Sequence, residues 1–125
     1  MKFEFNHFNF NVSDLQKSLQ FYDKALGLKE VRRKVAEDGR YIIVFLTDEM
    51  TDFKLELTWL KDHPEAYDLG EQEFHLAVLV DDYDAAFSHH QKMDAIVYEN
   101  KEMGLYFLED PDGYWIEILP KNRKR

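Results

Sequence analysis

The sequence contains no cysteine, so it can build no disulfide framework, no thiolate nucleophile and no cysteine-ligated zinc finger. Its five glycines stand singly, which excludes a glycine-rich loop of the kind that cradles phosphates. It has three prolines and no linker rich in proline, glycine or serine. No apolar run approaches the roughly 18 residues that a transmembrane helix needs, so no membrane partner is expected. The opening MKFEFNHFNF alternates and lacks the apolar centre of a signal peptide; the expected location is cytoplasmic. Cationic residues are also scarce, 16 Lys and Arg against 25 Asp and Glu, for a formal charge of −9. That balance argues against nucleic acid as a partner. The one basic cluster is the terminal run Lys121-Asn122-Arg123-Lys124-Arg125, read as a solvated tail.

What remains is the composition of a globular protein: 45% hydrophobic and 33% charged residues, with ten Phe, seven Tyr and two Trp to fill a core. A chain of 125 residues is expected to form a single domain over 1–125. Within it the sequence repeats a plan. His7-Phe-Asn-Phe-Asn-Val-Ser-Asp14 and His75-Leu-Ala-Val-Leu-Val-Asp-Asp82 each read as a strand running into a helix start. Ser13 or Asp14 is placed to cap the first helix, and Asp81 or Asp82 the second. The first helix is expected over 14–26, with Leu15, Leu19, Tyr22 and Leu26 on one stripe and Gly27 ending it. The second is expected over 83–92. Three strand-like runs follow each helix, 30–36, 41–47 and 53–60, then 95–98, 105–109 and 114–119. Turn signals such as Asp38-Gly39 and Pro111-Asp112-Gly113 separate them. The expected fold is therefore α+β: two β-α-β-β-β modules, 3–60 and 74–120, forming an open curved mixed sheet with helices outside. A connector over 61–73 is expected to contain a short helical turn at 64–69, and 121–125 is the tail.

Alternate side chains of a strand face opposite sides. Phe8, Phe10 and Val12 therefore oppose His7, Asn9 and Asn11, and Leu55, Leu57 and Trp59 oppose Lys54, Glu56 and Thr58. Phe74, Leu76, Val78 and Val80 oppose His75 and Ala77; Tyr114, Ile116 and Ile118 oppose Trp115, Glu117 and Leu119. In all four strands one face is apolar, suited to pack on a helix. The other carries a single metal-ligating type of residue: His7, Glu56, His75 or Glu117. Two imidazoles and two carboxylates make an N2O2 donor set, which suits a divalent ion such as nickel, cobalt, zinc, manganese or iron with room for water. A mid-strand carboxylate on an inner face is costly unless a cation or hydrogen bonds compensate it.

The strings His7-Phe-Asn-Phe-Asn-Val-Ser-Asp-Leu-Gln-Lys-Ser-Leu-Gln-Phe-Tyr22, Ala25-Leu-Gly-Leu28, Leu55-Glu-Leu-Thr-Trp59, Phe74-His-Leu-Ala-Val78 and Glu109-Asp-Pro-Asp-Gly-Tyr-Trp-Ile-Glu-Ile-Leu119 resemble the glyoxalase I family of the vicinal oxygen chelate superfamily, in its short bacterial form. The likeness runs over residues 5–120. It implies a lyase with His7, Glu56, His75 and Glu117 as metal ligands, nickel or cobalt before zinc, manganese or iron. It also implies a homodimer whose sites draw ligands from both chains. The implied reaction starts from the hemithioacetal of methylglyoxal and a thiol. Glu117, by analogy, takes the proton from the carbon next to the carbonyl. An enediolate forms beside the ion, and the proton returns to the neighbouring carbon to give S-D-lactoyl-thiol. Glu56 is implied as the matching carboxylate on the other side.

Two positions depart from the family. An Arg four residues after the first ligand and an Asn four after the second hold the glutamyl group of glutathione; here they are Asn11 and Leu60. The thiol implied is thus glutathione or another, with Arg32, Arg33 or Lys101 as replacement anchors. Lys101 and Met103, with Leu105, are assigned to a candidate flap over the substrate. An acyl-CoA epimerase, which usually carries Gln where Glu56 stands, is the alternative enzyme. An extradiol dioxygenase, built on two His and one carboxylate, would leave Glu56 unexplained. A ligand-binding module of the same fold would generally lack the four ligands. The remaining candidates read as structural: His89-His90 as adjacent helix positions about 100° apart, His63 beside Pro64, and Asp110 and Asp112 as turn residues.

Overall fold

The computed structural model describes residues 1–122. Residues 123–125, most of the basic tail, lie outside the described residues. The chain forms two compact units, Met1–Tyr67 and the stretch from Asp68 onward.

The first unit runs β1 (His7–Val12), α1 (Leu15–Leu26), β2 (Lys29–Val35), β3 (Tyr41–Thr47) and β4 (Lys54–Leu60). The second repeats the order with β5 (Leu76–Val80), α2 (Tyr83–Lys92), β6 (Ile96–Asn100), β7 (Leu105–Glu109) and β8 (Trp115–Pro120). The mixed sheet is realised as one four-stranded sheet per unit, ordered β1-β4-β3-β2 and β5-β8-β7-β6. In each, the first strand lies parallel to the last, and the remaining pairs are antiparallel. The crossover that a parallel pair requires contains the helix.

Both helices start on an aspartate whose side chain accepts a first-turn amide. Asp14 accepts from Lys17 and Asp82 from Ala85. Gly27, at φ 68°, ends α1, and its amide bonds Asp23 and Tyr22 carbonyls, a conformation that a Cβ would strain. In the first unit α1 packs against β4. It buries Tyr22, Ser18 and Ala25, and the sheet buries Phe10, Val12, Val44, Leu46, Leu55 and Leu57. These sheet residues share one parity along their strands. The second unit buries Tyr106, Leu108, Ile116 and Ile118 on the corresponding face. There α2 meets β7 through the rings of Tyr83, Phe87 and His90 around Tyr106. His90 is 3% exposed, with Nδ1 2.7 Å from the Tyr106 hydroxyl.

One expectation fails. Residues 64–69 form no helical turn. Five residues past a proline cannot repay the unfavourable first turn of a helix without a packed face. Instead the segment is pinned by the His63 ring stacked on Tyr67, centroids 3.9 Å apart, and by His63 Nε2 3.2 Å from Glu65 Oε1. Asp110-Pro-Asp-Gly is a turn: Asp110 Oδ1 accepts from the amides of Asp112 and Tyr114, both at 2.9 Å.

Candidate active site

Each unit places one histidine against one glutamate on the sheet face opposite its core. In the first, His7 opens β1 and Glu56 lies on β4, with His7 Nε2 3.6 Å from Glu56 Oε2. In the second, His75 precedes β5 and Glu117 lies on β8, with His75 Nε2 3.3 Å from Glu117 Oε1. The parallel pairing of first and last strands produces both contacts, because it sets the His end of one strand beside the Glu of the other. The glutamates are the more enclosed partners, with side chains 16% and 13% exposed against 40% and 41% for the histidines.

The orientation of His7 is fixed from behind. Its Nδ1 donates to Asn6 Oδ1, which leaves Nε2 as the nitrogen that faces Glu56. An imidazole nitrogen and a carboxylate oxygen presented to each other in this way need a proton or a cation between them. Two ligands each about 2.1 Å from one ion lie about 3.0–3.4 Å apart at octahedral to tetrahedral angles. The His75–Glu117 separation of 3.3 Å falls within that range, and the His7–Glu56 separation of 3.6 Å lies slightly beyond it. Within either described unit no third His, Asp or Glu joins the pair, so each unit brings together one imidazole and one carboxylate.

A phenylalanine completes the pattern in both units. Phe45, directly across the sheet from Glu56, meets the His7 ring edge-on at 5.8 Å and 83°. Phe107, directly across from Glu117, meets His75 at 5.0 Å and 88°. Parity alone does not reveal these rings, since which residue lies opposite a glutamate depends on register. The register is read from the turn lengths only after the strands are aligned.

The remaining candidates scatter. Asn11 lies on the His7 side of β1 in a side-chain ladder: Thr58 Oγ1 donates to Asn9 Oδ1 at 2.6 Å, and Asn9 Nδ2 to Asn11 Oδ1 at 2.8 Å. Leu60, at the end of β4, lines an open depression of about 330 Å3 with Arg40, Tyr41, Asp62 and His63. Lys101 and Met103 are exposed in the turn joining β6 and β7, which Asn100 closes by accepting from the Met103 amide at 3.0 Å. That turn lies beyond the Asn100–Leu105 rung, which is two rungs from Phe107, while Leu105 itself is buried in the core.

Residues 4–118 match the family described as the Glyoxalase/Bleomycin resistance protein/Dioxygenase superfamily. The chain belongs to this superfamily. It is 41% identical over 123 residues to the lactoylglutathione lyase of Neisseria meningitidis serogroup A, covering 92% of this chain and 88% of the relative. It is 35% identical over 129 residues to a probable lactoylglutathione lyase of Synechocystis, covering 95% and 96%. Among solved structures it superposes on the trypanothione-dependent glyoxalase I of Leishmania major with a TM-score of 0.83. The identity there is 31%, over 96% of this chain and 88% of that one. The glyoxalase fold expected from the sequence is present, and the chain is a lactoylglutathione lyase-like enzyme. No described helix is long and apolar enough to cross a membrane.

Proposed function

We propose that the protein is a metal-dependent glyoxalase I. It converts the hemithioacetal of methylglyoxal and a thiol into S-D-lactoyl-thiol by moving one proton between adjacent carbons. The observation that carries this reading is the repeated His–Glu pair, His7 with Glu56 and His75 with Glu117, on equivalent strands of the two units. A nitrogen and an oxygen donor from each pair would hold one divalent ion, nickel or cobalt before zinc, manganese or iron. The ion would supply a positive charge beside the oxygen that becomes negative as the carbon loses its proton.

The chain's own groups do the proton transfer. Glu117 Oε1, enclosed and 3.3 Å from an imidazole, is the carboxylate that accepts the proton from the carbon next to the carbonyl and returns it to the neighbour. Glu56 stands in the same relation to His7 and serves the opposite side of the substrate. The edges of the His7 and His75 rings are backed by Phe45 and Phe107, which hold the imidazoles in place and limit water at each pair. Since one unit supplies only two donors, a complete set requires two pairs. We assign them to a homodimer in which His7 and Glu56 of one chain meet the partner's His75 and Glu117.

The test is turnover of methylglyoxal hemithioacetals made from glutathione and from uncharged thiols. The expected product is the thioester of D-lactate. Formation of racemic or L-lactate, or no thioester with any thiol, would rule the reading out.

A further inference from the structure

We infer that Gln72 is a positioning residue for His75: by donating its side-chain amide to the Gly113 carbonyl, it ties the approach to β5 to the approach to β8 and so sets the His75–Glu117 pair. The inference rests on the proposed function only for the ion that the pair would hold.

The two units place their histidines by different means. His7 is the first rung of the β1–β4 ladder, opposite Lys54. Asn6 secures it twice: its carbonyl accepts from the Lys54 amide at 3.0 Å, and its side-chain oxygen accepts from His7 Nδ1. His75 has neither aid. The β5–β8 ladder starts one residue later, at Leu76 and Ile116. The residue before His75 is Phe74, whose side chain can accept no hydrogen bond. Yet His75 Nε2 stands 3.3 Å from Glu117 Oε1, closer than the 3.6 Å of the first pair. A chain segment beyond its last rung frays unless something outside the ladder holds it.

Gln72 stands out in that segment. It is half-buried in a stretch, Glu71 to His75, whose other members are exposed. Its φ is 56°, in the left-handed region that a residue with a side chain seldom adopts and keeps where surrounding contacts impose it. Two contacts do so. The Gln72 backbone amide donates to the Leu69 carbonyl at 3.2 Å, closing a turn through Gly70, and Nε2 donates to the Gly113 carbonyl. The receiving turn is itself firmly held. The Gly113 amide donates to the Asp110 carbonyl at 3.0 Å and the Asp110 amide to the Tyr114 carbonyl at 2.9 Å. These add to the two amides that the Asp110 side chain accepts. Gly113 makes room for the strap: its φ is 93°, and a Cβ there would lie 3.2 Å from Gln72 Nε2. The Phe74 ring adds an edge contact with Tyr114, centroids 6.2 Å apart, on the same turn. Gln72 stands three residues before His75, and Gly113 four before Glu117. The bond between them therefore closes the open end of the β5–β8 pair just outside the His75–Glu117 contact. Asn6 orients His7 by direct contact, and Gln72 orients His75 through the backbone. In both cases the ligand is held before an ion arrives, which reduces the freedom lost on binding.

The experiment compares the unmodified protein with two variants. Gln72→Gly suits a positive φ and removes the amide, and Gln72→Glu keeps the length but cannot donate. Each protein is stripped of metal. Nitrogen NMR of the His7 and His75 rings and thermal melting are recorded, and nickel binding is then measured by calorimetric titration. The expected result is that the His75 ring signals broaden or shift in both variants while those of His7 stay in place. The melting temperature of Gln72→Gly should remain near that of the parent. Nickel affinity should fall by about 10- to 100-fold, the usual loss when a group that orients a metal ligand is removed. Unchanged His75 signals in both variants would overturn the assignment. Equal disturbance of His7 and His75 would make Gln72 a residue of general stability and overturn it too, as would parent affinity for nickel in both variants. If the unmodified protein binds no nickel yet His75 alone is disturbed in the variants, the positioning role stands and the proposed metal dependence falls.

Discussion

Replacing Glu117 by glutamine keeps the length of the side chain and one ligating oxygen but removes the group that accepts a proton. Turnover of the hemithioacetal should fall by at least about 10²-fold, the low end of general-base effects. Metal content, measured by elemental analysis of the purified variant, should stay near that of the parent. Full turnover in Glu117→Gln would assign the base elsewhere, with Glu56 the next to test. The residue scale also shows what strand parity discloses. It sufficed to place His7, Glu56, His75 and Glu117 on the non-core faces of their strands, because alternation is a property of the local chain. It could not disclose Phe45 or Phe107 as neighbours of those pairs. Each depends on register, which alternation alone leaves open. Asn11, four residues after His7, and Leu60, four after Glu56, stand where the resemblance implies an Arg and an Asn. Asn11 proves to be an acceptor in the Asn9–Thr58 ladder, and Leu60 lines a depression beside Arg40 and His63.

At the scale of elements, both helices and the order of all eight strands were legible because each element carries its own stop signal or cap. Asp14, Asp82 and Gly27 do at the helix ends what their chemistry suggests. The segment at 64–69 was not legible, since a proline and a few polar residues describe a helix start and an irregular connector equally well. Its course is decided by one tertiary contact, the stack of His63 on Tyr67. The first sheet depends on Leu57, which is 0% exposed on β4 between β1 and β3 and faces α1. Leu57→Ala should cost about 2–5 kcal/mol, through lost burial and the cavity left behind. Chemical denaturation measures it, and a cost under about 1 kcal/mol would mean that α1 collapses into the space. Because Leu57 neighbours Glu56 but points the other way, the folded fraction of this variant should retain its KM while the protein as a whole loses stability.

On the scale of the whole molecule, each unit brings together one His–Glu pair and, among the described residues, no third His, Asp or Glu. The proposed homodimer joins two such pairs into one donor set and makes a prediction by complementation. A His7→Ala chain and a Glu117→Ala chain should each be inactive alone. Mixed under conditions where subunits exchange, they should regain activity, because the heterodimer contains one site with both lesions and one with none. No recovery, with exchange demonstrated by mass spectrometry, would place all four donors of a site within a single chain. The account as a whole claims that the His–Glu pairs hold an ion required for the proton transfer. The most direct measurement strips the purified protein with chelator, verifies the loss by elemental analysis, and follows thioester formation before and after adding back single divalent metals. The account predicts no turnover in the stripped protein and recovery at one equivalent of metal per site, greatest with nickel or cobalt. Full turnover in protein shown to contain no metal would contradict it.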